Sequence, residues 1–198
     1  MKRLLLLLTL AALAAGATTA NAATATCLPS STPVFAQFGD PANYFLAPGG
    51  GFEAGTAAWT FSANAKVVAG NETFNIGGAG TSSLSLPKGS TATSPSFCVD
   101  PTAPTMRFLL RNTANTDSKI ALDVTYTKLD GNPRTDQIAT FTGQATWQPS
   151  PIVAYLTSAI TKTLIDGSTN VKFRFRPLDD KGAWQIDDVY IDPYKRCC

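Results

Sequence analysis

Small domains usually do chemistry with a Ser-His-Asp triad, a Cys-His pair, a His-ligated metal or two carboxylates held across a groove. The first three need His, and the 198 residues of this chain contain none. Glu stands at positions 53 and 72 alone, so 12 of the 14 acidic residues are Asp and acid–base work would fall on them. There is no Gly-x-Ser-x-Gly turn, phosphate-cradling loop or dinucleotide fingerprint. Gly77-Gly78-Ala79-Gly80 is Gly-rich, but no helix pattern follows it. The expectation is a protein that is not an enzyme, with a carboxylate-based glycan hydrolase as the weaker alternative.

Binding chemistry has more to draw on. Sugar recognition on a β-sheet uses an aromatic ring against the apolar face of the pyranose and planar polar groups for its hydroxyls. Trp147 lies among polar neighbours in Gln144-Ala145-Thr146-Trp147-Gln148-Pro149 and is the first candidate for a ligand contact. Trp59 and Trp184 read as core filler. In Val171-Lys172-Phe173-Arg174-Phe175-Arg176 the apolar residues alternate with Lys172, Arg174 and Arg176, which would supply either the polar half of a groove or a solvated sheet face. Asn71-Glu72-Thr73 matches a glycosylation sequon and is given no functional weight.

The chain opens with Met1-Lys2-Arg3, a Leu run to Leu8 and an Ala-rich stretch ending at Ala22. That order of charged, apolar and small residues is expected of a signal peptide over residues 1–22, hence a secreted, extracellular protein. Loss of Lys2 and Arg3 would lower the basic count from 16 to 14, equal to the acidic count. A neutral surface has no broad pull on nucleic acid, and no later stretch is long and apolar enough for membrane insertion after signal removal. Export favours disulfides, and three complete pairings of the four Cys are formally open. A bridge between the neighbours Cys197 and Cys198 is strained; Cys27 with Cys98 is the favoured pair because it would close a long loop and tie down the N-terminal segment. Cys197 or Cys198 would then be available for covalent contact with a partner.

The elements that must position these residues read as all-β. From Trp59 onward, short runs rich in β-branched and aromatic residues recur between Gly, Pro, Asn and Asp clusters. Residues 105–111 and 119–127 form two long strands joined across 112–118. In the second, Ile120, Leu122, Val124 and Tyr126 share one face, with Asp123, Thr125 and Thr127 on a wet one. Residues 130–133 make a hairpin connection. The exception is 152–165, where Ile152, Tyr155, Leu156, Ala159, Ile160, Thr163 and Leu164 follow a 3.6-residue period that allows one short helix, while the frequent Thr and Val keep strand in competition. Residues 23–48 form an extended lead-in, and 49–198 the domain.

Two segments carry a family likeness. Gly50-Gly51-Phe52-Glu53-Ala54-Gly55-Thr56-Ala57-Ala58-Trp59 resembles the opening of galactose-binding-like, carbohydrate-binding-module type jelly rolls. Ala183-Trp184-Gln185-Ile186-Asp187-Asp188-Val189-Tyr190-Ile191-Asp192 resembles their closing strand, and small secreted bacterial proteins of that build are the nearest in character. The resemblance implies a two-sheet antiparallel β-sandwich whose first and last segments lie side by side. It also implies a structural calcium held by Glu53 with Asp187 or Asp188. Of the two, Asp188 would share the inward face of Ile186 and Tyr190 on an alternating strand.

The resulting expectation is a secreted, non-catalytic carbohydrate-binding module whose partner is a polysaccharide or cell-wall glycan. The alternative is a structural or adhesion protein of the envelope with no small ligand.

Overall fold

Alternation along each strand decides which side chains meet between the sheets and which face outward. The computed structural model describes residues 31–54, 59–156 and 164–193. Their strands, in chain order, are β1 (Phe45–Leu46), β2 (Thr60–Ser62), β3 (Lys66–Ala69), β4 (Ser82–Pro87), β5 (Thr91–Thr93), β6 (Phe97–Val99), β7 (Thr105–Asn112), β8 (Lys119–Thr127), β9 (Pro133–Thr142), β10 (Gln148–Pro149), β11 (Val153–Ala154), β12 (Thr169–Pro177) and β13 (Ala183–Asp192). The first sheet runs β10-β7-β13-β4-β3, with β1 added to β13 and β11 to β7; the second runs β2-β5-β12-β8-β9, with β6 added to β12. All pairings are antiparallel. The expected jelly-roll sandwich is the fold found.

Between the sheets, Phe108 of the first meets Phe175 and Phe141 of the second edge-on, with ring centroids 4.9 and 5.1 Å apart. Tyr155 meets Phe173 in the same way at 4.9 Å. The two ends of the domain adjoin: Phe45 lies opposite Ile191, and the Val189 N–H donates to the Gly50 carbonyl at 3.0 Å. Phe52 packs on Trp59, whose ring stacks over Phe175 at 6.0 Å.

A second, smaller core lies on the outer face of the first sheet. Phe35 and Tyr44, from the segment before β1, cover Leu109, Trp147 and Tyr190. Arg107 fixes this segment by pairing with Asp40 at 2.6 Å, donating to the Ser150 carbonyl, and lying over the Phe35 ring.

Two expectations need correction here. The helical period over 152–165 fails at its start: Val153 and Ala154 form β11 against Met106 and Thr105, where a β-branched edge residue completes the sheet. Ile152 and Leu164, which fit that period, are exposed, while 164–166 are helical and 157–163 lie outside the described residues. The outward face of β8 is also less wet than expected, because Asp123 is 1% exposed.

Candidate functional site

Asp123 is covered from the neighbouring strand. Register places Arg174 of β12 opposite Asp123, Lys172 opposite Thr125 and Arg176 opposite Ala121. Thr93 lies on the other side of Arg174, and Gln137 of β9 on the other side of Asp123. The single carboxylate accepts from Arg174 Nε and Nη2 at 2.9 and 2.7 Å, and from Arg176 Nε and Nη2 at 2.8 and 3.2 Å. Arg176 Nη2 also donates to the Gln137 side-chain carbonyl at 2.6 Å. The guanidinium groups are therefore locked in orientation yet remain 40% and 31% exposed at the side chain. Thr60, Ser62, Thr91 and Thr135 extend the same face as hydroxyls. No outward position of these strands among the described residues holds an aromatic ring. The sequence-predicted cations thus come together on one open sheet face.

Trp147 does not join them, and its expected role as an exposed platform is corrected. It is 5% exposed, part of the small core on the other sheet, and Arg111 lies 4.8 Å over its ring while bonding Gln185. The lead-in that buries it comes from residues more than a hundred positions earlier, which its polar sequence neighbours do not reveal.

A second arrangement of chemical interest sits where β13 is irregular. Register slips between Asp187 and Tyr190, so Ile186, Val189 and Ile191 enter the main core while Tyr190 faces the outer one. The extra residue breaks the alternation on which Asp188 alone was expected to be inward: Asp187 is fully buried, Asp188 is 5% exposed, and Asp188 takes a φ of 50°. Over them folds the loop between β3 and β4. The Glu72 N–H donates to Asp187 Oδ2 at 3.0 Å and the Gly77 N–H to Asp188 Oδ2 at 3.2 Å. Glu72, 2% exposed, turns its own carboxylate back on the Phe74 and Ile76 amides. Glu53 accepts from the Thr81 and Ser82 amides and the Thr81 hydroxyl.

Burial, then the charge of Asp188, pushes the Asp187 carboxyl up to about 8. Burial, then the charge of Glu72, pushes Asp188 up to about 7. Burial also acts on Glu53, but its three hydrogen bonds outweigh it and hold that carboxyl below the usual range. The glycines of 77–80 allow the loop to come this close. A Cβ on Gly77 would land on the Asp188 carboxylate, and one on Gly80 would stand 2.9 Å from Glu53 Oε1. Charge and cradle thus suit a cation, although among the described residues no group of three acidic, Cys or His side chains is arranged to hold a metal ion. Glu72 was missed from sequence. Its only signals were the rarity of Glu and its place just before a Gly-rich stretch.

Cys98 lies half-buried on β6 and is not a free thiol. Cys27, Cys197, Cys198 and residues 1–22 are outside the described residues. No helix among the described residues is long and apolar enough to cross a membrane.

No family model matches the sequence, and no curated protein is similar to it in sequence. Solved structures share the fold. The CBM22-1 xylan-binding domain of Paenibacillus barcinonensis Xyn10C aligns with a TM-score of 0.52 at 14% identity, over 79% of this chain and 97% of that domain. The CBM22-1–CBM22-2 tandem of the same protein aligns at 0.50 and 14%, over 75% of this chain and 44% of the tandem. At this identity the likeness is one of fold.

Proposed function

Taking the fold as a jelly roll of the carbohydrate-binding-module type, we propose that this protein is a secreted, non-catalytic glycan-binding module that engages an extracellular or cell-wall polysaccharide on the outward face of its second sheet. The observation that supports this most is the preset polar array of Arg174, Arg176 and Gln137 around buried Asp123, flanked by Lys172 and threonines. Planar donors with fixed orientation lose little entropy when they meet sugar oxygens, and that is what hydroxyl-rich ligands require. The similar xylan-binding domain makes a polysaccharide the natural ligand class to test.

The reading includes a structural calcium at the β13 irregularity, with Glu53 and Asp188 as side-chain ligands beside Asp187, and backbone oxygens completing the shell that calcium needs. It also includes a Cys27–Cys98 bridge tying down the lead-in. One observation favours the structural or adhesion alternative, namely the lack of an aromatic ring on the open face.

Affinity electrophoresis in gels cast with soluble polysaccharides separates the two. Retardation by at least one polysaccharide, lost in Arg176→Gln, with no release of reducing ends, is the expected result. Unretarded migration across a broad panel would hand the protein to the structural reading.

A further inference from the structure

We infer that the polysaccharide taken by this face is anionic, carrying carboxylates on its sugar units as a polyuronate does; this rests on the glycan-binding reading above. Three cations stand on alternate positions of β12 with one carboxylate among them, and that carboxylate is sealed beneath two guanidinium groups. The face is therefore positive toward solvent even though the chain after residue 22 has equal numbers of acidic and basic side chains. Arg174 and Arg176 spend Nε and Nη2 on Asp123 and Gln137. Neither Nη1 nor the Lys172 ammonium has a partner among the described residues.

Asp123 thus acts as a clamp from below, aiming two unspent donor groups outward. With each Nε–Nη2 fork taken by Asp123, what is left for a ligand is Nη1 of each arginine beside the Lys172 ammonium, cationic N–H donors whose hydrogen bonds to a carboxylate are charge-assisted. Alternate residues on a strand repeat at about 7 Å, so the cations form a line suited to an extended polyanion. The ringless surface points the same way. Neutral sugars gain much of their affinity by stacking on aromatic faces, which this surface lacks, whereas charge-assisted hydrogen bonds need no ring. Single-stranded nucleic acid, the competing polyanion, also depends on stacking.

The full chain is tested by affinity electrophoresis against polygalacturonate, the same polymer after methyl esterification, neutral xylan, single-stranded DNA and anionic lipid vesicles. Lys172→Glu serves as the variant because Lys172 is exposed and has no partner among the described residues, so the fold survives. The expected result is retention by polygalacturonate that falls about fivefold in Lys172→Glu, weakens in about 0.5 M salt and disappears on esterification. Equal binding to xylan and polygalacturonate, indifferent to Lys172→Glu, would overturn the anionic assignment and leave glycan binding standing. Binding to no polysaccharide at all would remove both. Retention by DNA or vesicles with none by polygalacturonate would overturn the inference in favour of a different partner.

Discussion

Asp123 stands at the centre of four hydrogen bonds from two guanidinium groups, and its value lies in what it does to them. A carboxylate buried alone in a sheet would be costly, but two arginines from the next strand convert it into a fixed anchor. Asp123→Asn keeps the shape and removes the charge, leaving Arg174 and Arg176 repelling each other over a neutral amide. Breaking a fully buried pair costs about 3–5 kcal/mol. Here the Arg174 and Arg176 side chains are 40% and 31% exposed, so about 2 kcal/mol is expected, read as a lowered urea midpoint at unchanged slope. If the arginines bind ligand, the same change weakens glycan retention through lost orientation, even though the net positive charge of the face rises. This pairing was half legible in the sequence. Alternation put the cations outward and Asp123 on the outward side of its own strand, but cross-strand register, which sequence alone leaves open, decided that they meet.

At the scale of elements, the sandwich was readable because its core strands alternate strongly, as in 171–176, and because the segments around Phe52-Glu53 and Ile186–Ile191 resemble the opening and closing elements of such jelly rolls. The places that were misread are those where a distant element overrides a local period. An inserted residue in β13 sends Tyr190 to the outer core and buries both neighbouring aspartates. The β3–β4 loop completes that arrangement, and its approach depends on Gly77. Gly77→Ala would set a methyl against the Asp188 carboxylate, forcing the loop outward. A loss of about 1–3 kcal/mol is expected, the usual range for overpacking. Faster amide exchange across 72–82 in the variant would show that the loop has lifted, whereas unchanged exchange and midpoint would mean the contact is easily relieved.

For the molecule as a whole, the raised Asp187 and Asp188 carboxyls link stability to pH and to cations. Both hold protons more tightly in the folded state than in the unfolded chain, where they titrate at about 4. Their contribution is complete below that value and drains away as pH climbs toward 7 and 8, because the unfolded state then binds fewer protons than the native one. Asp188→Asn removes one of these charges at a φ of 50°, a conformation Asn tolerates. In chelator, the variant should match the natural chain near pH 4 and melt at a higher temperature near pH 8. With calcium present the order at pH 8 should reverse, since the natural chain alone gains from the bound cation. A variant that behaves identically with and without calcium would remove Asp188 from the proposed ligands.

The lead-in folded over the outer side of the first sheet gives the molecule a back as well as a front. Phe35 and Tyr44 seal much of that side with rings, and Arg107 bolts the strap in place. A long polymer lying along β12 would therefore meet each copy from one direction only. Single copies would coat such a fibre without bridging it to the next, and any cross-linking would have to come from joining two copies together.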